Sequence, residues 1–268
     1  MFKVKLPLDS GFLPTTQERS LFMKDILDLH THTIASGHAY NTLFEMFEGA
    51  YQKGLSLFGS SDHAPSVPGS CSSLYFKNLK VVPRNYKGMP VILGSEVNII
   101  DEKGKLDLSD YTLKQLDYVI ASIHKPCYPA KTTTAQNTSA VVHALQNPYV
   151  NIIGHPDDMR FPLEYRPIVE AAKSCHKLLE VNSSSLHPNS TRVNAREAYL
   201  NLLPLCARFG VSILIGSDAH VVTDIGNHKA AIALLEEIHF PEELIVNTSL
   251  EKISSFIPKI HEIIHDNL

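Results

Sequence analysis

The sequence predicts an α/β fold built on parallel strands. Three observations support this prediction. Short apolar runs bounded by polar or turn residues recur along the chain, amphipathic stretches of helical length separate them, and the two kinds of segment alternate about seven times. The 268 residues, of which 44% are hydrophobic, suffice to bury one sizeable core, and α/β barrels of this length form a single domain.

Seven apolar runs have the composition of buried parallel strands. They are Ile26–Leu29, Leu57–Gly59, Val91–Leu93, Tyr118–Ala121, Asn151–Ile153, Leu178–Val181 and Ser212–Ile215. Residues 65–90 are less regular, and we expect them to form a surface excursion over the mouth of the barrel.

The stretches between these runs predict helices. The longer ones are Thr42–Lys53, Thr138–Gln146, Glu164–His176, Ala195–Phe209 and Thr223–Ile238, and shorter helices are expected after Pro241, from Leu250 and after Pro258. Gly54 and Gly210 stand where glycine ends a helix. Residues 1–22 differ from the rest, so we assign residues 1–22 as an N-terminal extension and residues 23–268 as a single domain.

Composition excludes several classes of protein. The net charge is −4 with no Lys/Arg-rich run, which argues against strong nucleic-acid binding. The four cysteines are far apart without a CxxC pair, so a disulfide framework, a zinc ribbon and a thioredoxin-type site are not expected. No apolar run approaches the roughly 18 residues of a membrane span, and no signal-like segment opens the chain. A reducing cytoplasm is the expected location.

Metal-binding residue types follow six of the seven runs. In chain order they are His30 and His32, Asp62 and His63, Glu96, His124, His155, and Asp218 with His220. The sixth run is followed by Asn182 and serines instead. Because all strands of a (β/α) barrel open with their C-terminal ends on one face, these side chains should converge in space. Imidazoles and carboxylates that converge in one pocket are suited to divalent metal ions.

The spacing of these residues supports the same interpretation. Residues i and i+2 of an extended strand point to the same side, so His30 and His32 can bind one ion, and Asp218 and His220 repeat the pattern. A single histidine at a strand end is usually structural, but six such ends together favour a metal cluster. The histidines in helical stretches are predicted to be surface residues: His143, His176, His228, His239, His261 and His265.

The segments DLHTHTIASGHAY, SSDHAP, LGSEVNI, ASIHKP, IIGHPDD, EVNSSS and IGSDAH resemble the PHP (polymerase and histidinol phosphatase) family, and most closely its YcdX-like phosphatase branch. The resemblance covers about residues 23 to 250. It implies a distorted seven-stranded (β/α)7 barrel, TIM-like but one strand short. It also implies three divalent metal ions, usually zinc, with manganese common in the family; iron also accepts such a ligand set.

The family's ligand pattern carries over to nine positions. The first ion is assigned to His30, His32, Glu96 and Asp218. Glu96 bridges to a second ion completed by His124 and His155, and the third ion is assigned to His38, His63 and His220. Asp62 is expected to orient an imidazole N–H rather than to bind metal.

The expected activity is that of a metal-dependent phosphatase acting on a small phosphate ester, with a metal-bridging hydroxide as nucleophile. No G-x-S-x-G elbow and no P-loop is present, in agreement with a water-based mechanism. Lys125, Arg160 and Arg192 are candidates for binding the phosphate. His187 is a candidate acid for the leaving group.

Three alternatives remain at this point. An amidohydrolase-type barrel also begins with an HxH motif and can bridge two metals with a glutamate, but it leaves His38, His63 and His220 without a role. A non-catalytic PHP accessory module would have no need of all nine ligands. A nuclease would bind nucleic acid, which the acidic balance disfavours.

Overall fold

The structure of the protein, a computed structural model, describes residues 23–266, so the predicted extension 1–22 lies outside the described residues. Strands and helices alternate along this part of the chain. The strands are β1 (Leu27–Asp28), β2 (Leu57–Ser60), β3 (Asn85–Tyr86), β4 (Met89–Leu93), β5 (Ser95–Asn98), β6 (Val119–Ser122), β7 (Ile152–Ile153), β8 (Leu178–Asn182) and β9 (Ile213–Gly216).

The α-helices pack outside and below these strands. They are α1 (Leu43–Gln52), α2 (Ser73–Asn78), α3 (Asp110–Leu113), α4 (Thr134–Gln146), α5 (Tyr165–Cys175), α6 (Ala195–Phe209), α7 (Lys229–Glu237), α8 (Leu250–Phe256) and α9 (Pro258–Asp266). None of these helices has the length and apolarity needed to cross a membrane.

The strands form two sheets, in the orders β1-β2-β4-β3 and β5-β6-β7-β8-β9. All pairs are parallel except the β3–β4 hairpin. Two isolated parallel bridges link the sheets: Thr31, after β1, pairs with Ala219, after β9, and His63, after β2, pairs with Glu96 in β5. The C-terminal ends of the parallel strands therefore open on the same side of the molecule.

The predicted α/β class with parallel strands is confirmed, whereas a count of seven strands and a closed barrel are not. Each predicted run contains a strand, with ends shifted by one or two residues. The sequence did not reveal β3 or β5. Gly94 alone separates β4 from β5, and a Cβ atom there would lie 2.4 Å from the carbonyl oxygen of Tyr118.

The core has two layers because the strands bury both faces. Alternate residues such as Leu27, Ile120 and Leu214 form an inner cluster that Ile253 and Ile257 of the C-terminal helices cover. A larger cluster fills the space between the strands and the outer helices. Burial on both faces holds the strand ends, and hence the site residues, on a rigid base.

Local signals explain where the helices begin and end. Thr133 and Gln136 form a capping box, so α4 begins before the predicted Thr138. Gly210, with φ of +63°, ends α6 as predicted. The prediction of a helix from Thr223 is wrong because the chain there forms a 3₁₀ turn and passes through Gly226 with φ of +64°.

One histidine prediction is wrong. His228 is 1% exposed, because the turn preceding α7 directs it inward, where Nδ1 pairs with Asp25 and Nε2 lies 3.5 Å from Oδ1 of Asp28. The other five helical histidines are exposed, as predicted: His143, His176, His239, His261 and His265.

Candidate metal centre

Glu96 lies at the centre of a buried group of imidazoles. Its side chain is inaccessible to solvent and accepts a hydrogen bond of 2.6 Å from the Ser122 hydroxyl. Five ring nitrogens lie within 3.5 Å of its two oxygens: His155 Nε2 (2.8 Å) and His124 Nε2 (3.2 Å) near Oε1, and His63 Nδ1 (2.8 Å), His30 Nε2 (3.3 Å) and His32 Nε2 (3.5 Å) near Oε2. One carboxylate thus faces imidazoles from four different strand ends.

Asp218 provides the second carboxylate of the group. Its Oδ1 lies 3.1 Å from His32 Nε2 and 3.6 Å from His30 Nε2, while Oδ2 accepts a hydrogen bond of 2.8 Å from Arg192. Its φ of +55° lies in the left-handed region, as does the φ of +29° at His155. Such conformations are costly for residues other than glycine and are often retained at functional sites.

The remaining histidines stand at the solvent side of the group. His38 and His220 are partly accessible, and their Nε2 atoms are 3.0 Å apart. The His38 ring stacks on His63 with centroids 5.0 Å apart, and the His220 ring lies 4.3 Å from that of His32. The structure therefore brings all nine predicted ligands together.

The buried atoms of this group fit a set of bound cations. Six of them have no hydrogen-bond partner: Nε2 of His30, His32 and His124, Nδ1 of His63, Oε2 of Glu96 and Oδ1 of Asp218. Buried polar atoms without partners are costly unless something else satisfies them. Three sets of donor atoms lie within 4.8 Å of one another: His32–His63–His220, His30–His32–Glu96 and His63–Glu96–His124. Mixed nitrogen and oxygen ligands at this spacing suit zinc, manganese or iron.

Buried acceptors fix the orientation of three imidazoles. Nδ1 of His30 donates to Glu180 Oε1 at 2.6 Å, and Nδ1 of His124 donates to Asn98 Oδ1 at 2.7 Å. Nδ1 of His32 donates to the Ser36 hydroxyl at 3.0 Å, which in turn donates to Asp62. In the tautomer in which Nδ1 donates, each of these rings can present the lone pair of Nε2 to a bound cation.

Asp62 therefore orients an imidazole indirectly, through Ser36. Its two oxygens also accept hydrogen bonds from the Thr33 backbone and hydroxyl and from Tyr75, which leaves it directed away from the cluster.

The sequence reasoning missed Glu180 and Asn98. Each lies within a strand two positions from another polar residue, Asn182 and Glu96, and residues i and i+2 of a strand share a face. This spacing was a usable signal. Glu180 also accepts hydrogen bonds from the His155 backbone at 2.7 Å and from Asn182, which contacts Asp218. The sixth predicted strand thus contributes groups that orient imidazoles, where the others contribute the predicted ligands.

The electrostatics of the cluster favour cation binding. Burial alone would raise the pKa of Glu96, but His124, His30 and His63 outweigh it and hold this pKa well below its ordinary value. Burial, with repulsion from His63 and His220, keeps the pKa of His32 well below its ordinary value, so this imidazole is neutral and free to donate its lone pair. Metal ions require deprotonated ligands of this kind.

A cavity of about 430 Å³ lies above the cluster, and the three predicted phosphate-binding cations line it. Arg192 is largely buried and is paired with Asp218. Arg160 is paired with Asp158 through Nε contacts of 2.8 and 2.9 Å, and Lys125 is exposed. His187 is also exposed and lines a neighbouring cavity rather than this one.

The fold and the donor set define a class of protein: an α/β protein with a buried cation site at the C-terminal ends of parallel strands. The family model of the PHP domain matches residues 28–188, more than half of the chain. The chain belongs to the PHP family, as the sequence motifs predicted.

Relatives cover nearly the whole described part of the chain. A probable phosphatase of Caldanaerobacter subterraneus subsp. tengcongensis is 43% identical over 236 residues, 87% of this chain and 91% of the relative. A probable phosphatase of Caldicellulosiruptor bescii is 46% identical over 235 residues, 88% of this chain and 96% of the relative. The prediction of a hydrolase acting on phosphate esters agrees with these names.

A solved structure supports the fold. The histidinol phosphate phosphatase of Lactococcus lactis, complexed with zinc, L-histidinol and phosphate, superposes with a TM-score of 0.57 and is 19% identical, covering 81% of this chain and 95% of that chain. At this identity the likeness concerns the fold alone.

Proposed function

We propose that the protein is a metal-dependent phosphatase that hydrolyses a small phosphate ester at a trinuclear metal site. The observation that carries this proposal is the group of buried, unpartnered nitrogen and carboxylate oxygen atoms on the floor of a cavity lined with cations. The names of relatives more than 40% identical over most of the chain point to the same chemistry.

The nine ligand residues are assigned to three ions as the family pattern implies. His30, His32, Glu96 and Asp218 hold the first ion, Glu96 with His124 and His155 the second, and His38, His63 and His220 the third. Zinc is the favoured metal, and the zinc in the Lactococcus lactis protein agrees with it; manganese and iron suit the same ligands. Bound divalent ions supply positive charge for the phosphate oxygens and lower the pKa of a coordinated water.

The chain's own residues bind and orient. Arg192 and Arg160 line the cavity, and each is held in place by a carboxylate. Their guanidinium groups bind phosphate oxygens. Lys125 adds positive charge at the rim of the cavity. Glu180, Asn98 and Ser36 hold three imidazoles so that ring rotation is not needed on binding. The exposed His187 remains the candidate for giving a proton to the leaving oxygen.

We further propose that the two sheets act as one distorted seven-stranded barrel, in which β4 and β5 are one strand interrupted at Gly94. The bridges at Thr31–Ala219 and His63–Glu96 support this description. Residues 23–268 would then be the single catalytic domain. Cytoplasmic location and the absence of strong nucleic-acid binding stay predictions from the sequence.

The alternatives fit the site less well. An amidohydrolase-type centre needs neither His38 nor His220, yet their Nε2 atoms meet at 3.0 Å beside the cluster. An accessory module without activity has no need of metal ions. It therefore does not explain six buried nitrogen and oxygen atoms that have no hydrogen-bond partner.

Metal analysis and activity on one sample test the proposal. We expect two to three zinc, manganese or iron ions per chain by ICP-MS, and phosphate release from p-nitrophenyl phosphate that chelation abolishes and added Zn²⁺ or Mn²⁺ restores. Bound ions without phosphate release would favour the amidohydrolase alternative. A chain with neither ions nor activity would favour the accessory module.

A further inference from the structure

One wall of the cavity above the metal centre consists of hydroxyl and amide side chains. Ser184, Asn189 and Thr191 line it, and their side chains take part in none of the hydrogen bonds found within residues 23–266. Ser190, between them, accepts a hydrogen bond from the Arg192 backbone but keeps its own hydroxyl hydrogen free. This polar wall, defined as Ser184, Asn189, Ser190 and Thr191, therefore has donors and acceptors to offer a ligand.

Apart from the imidazoles, the rest of the cavity offers few side chains on which an aromatic group could stack. Apart from the imidazoles, no aromatic side chain of the described residues lines it, and its apolar lining is Val67, Ile123 and Pro126. Nucleobases and aryl groups are usually bound by stacking on aromatic side chains or by flat apolar surfaces. The polar wall instead matches a ligand that carries several hydroxyl groups.

The polar wall also has room beyond it. Ser184, Asn189 and Ser190 line a second cavity of about 400 Å³, which continues towards Asn227 and Lys229. A leaving group that extends past the wall therefore meets further polar side chains rather than a closed apolar end.

We propose that the substrate is the phosphate monoester of a sugar or other polyol, whose hydroxyls hydrogen-bond to the polar wall. This rests on the proposed phosphatase function, which puts the phosphate at the metal centre. In the reaction the oxygen of water forms a bond to phosphorus, the bond from phosphorus to the polyol oxygen breaks, and that oxygen gains a proton. The products are the free polyol and inorganic phosphate.

Matched substrates test the proposal on the full-length, metal-loaded enzyme. Glycerol 3-phosphate and glucose 6-phosphate are compared with propyl phosphate, which carries the same phosphate without hydroxyls, and with AMP. We expect kcat/KM for the polyol esters to exceed that for propyl phosphate by about tenfold or more, because propyl phosphate leaves the polar wall without its hydrogen-bond partners. AMP, whose ribose also carries hydroxyls, should be a poorer substrate than the polyol esters because the cavity offers its base few side chains on which to stack.

A pair of variants assigns the preference to the wall. Asn189→Ala should reduce the ratio of kcat/KM for glucose 6-phosphate to that for propyl phosphate about tenfold, and Thr191→Val should reduce it in the same direction. Both residues are exposed, so neither change disturbs the core. Asn201→Ala, an exposed position on α6 that does not line the cavity, should keep the wild-type ratio.

The outcomes separate this proposal from the one it rests on. No phosphate release from any ester would overturn the phosphatase itself. Release from propyl phosphate or AMP as efficient as from the polyol esters would leave the phosphatase standing and overturn the substrate class. A wild-type preference that survives unchanged in Asn189→Ala and Thr191→Val would show that the polar wall does not bind the leaving group.

Discussion

At the scale of single residues, the site depends on Glu96. Its two oxygens face five imidazole nitrogens, and Ser122 donates the hydrogen bond that holds it. Replacement by the isosteric amide puts an NH₂ group, which has no lone pair for a metal, in place of one of these oxygens.

Glu96→Gln should therefore lower the metal content and reduce kcat/KM more than about 100-fold. Loss of a residue that only orients a ligand costs at most about 100-fold. ICP-MS and phosphate release on the same preparation measure both. Glu243→Gln, at an exposed position, is the matched control. Near-normal activity in Glu96→Gln would exclude the bridging role.

Glu180 acts through other residues, since it contacts the His30 ring, the His155 backbone and Asn182. Glu180→Gln should weaken metal binding about 10- to 100-fold, because a group that orients a ligand imidazole is replaced by a weaker acceptor. Competition with a chelating dye measures the affinity independently of turnover. An unchanged affinity in a folded variant would contradict the orienting role.

At the scale of secondary structure elements, β8 and β9 are placed so closely that Gly216 has no room for a side chain. A Cβ at Gly216 would lie 2.0 Å from Glu180 Oε1 and 2.9 Å from His30 Cβ. Strand packing therefore sets the positions of both the Glu180 carboxylate and His30, one of the proposed ligands.

Gly216→Ala should lower the free energy of unfolding by about 1–3 kcal/mol, the usual cost of overpacking. Urea denaturation measures it. Glu180→Asp shortens the side chain that the new methyl group at position 216 would meet. The loss of unfolding free energy in the double variant, Gly216→Ala with Glu180→Asp, should therefore be smaller than the sum of the losses in the two single variants. Strict additivity would show that the two side chains do not meet.

At the scale of the whole molecule, a buried ionic network joins distant parts of the chain. His228, before α7, lies between Asp25 and Asp28, and Asp28 also accepts hydrogen bonds from Ser217 and Gly226. Burial alone would lower the pKa of His228, but Asp28 and Asp25 outweigh it and raise this pKa to about 10.

This shift predicts how stability depends on pH. The unfolded histidine titrates near pH 6.5, so the stabilisation from charged His228 is complete below that value and is lost as pH rises towards 10. In thermal unfolding of the chelator-treated wild-type protein, Tm should decline from pH 6.5 to pH 10. The decline over the same pH range should be smaller in His228→Gln. His143→Gln, at an exposed position, should retain the full decline. The same slope in both variants would contradict the assignment.

The domain boundary is a prediction at the same scale. All nine assigned ligands lie between residues 30 and 220, and the PHP match begins at residue 28. Removal of residues 1–22 should therefore leave activity and Tm unchanged, as phosphate release and thermal unfolding will show. Loss of soluble protein on truncation would place those residues in the folded domain.

The sequence by itself determined the α/β class, because apolar runs predict buried strands, and parallel strands bring the residues after them to one side of the molecule. The assignment of the nine ligand positions rests on the resemblance to the PHP family and stays a prediction. The predicted starts of α4 and α7 were less accurate, because a capping box and a left-handed glycine decide them over a few residues.

Only the tertiary structure decided which groups orient the ligands. His30 and Glu180 are 150 positions apart and His228 and Asp25 are 203 apart, and no local pattern connects such pairs. Their contacts arise when β8 packs beside β9 and the turn before α7 folds under β1. A histidine at the end of a helix looks the same in sequence whether it faces solvent, like His176, or an ion pair, like His228, because burial depends on what packs against it.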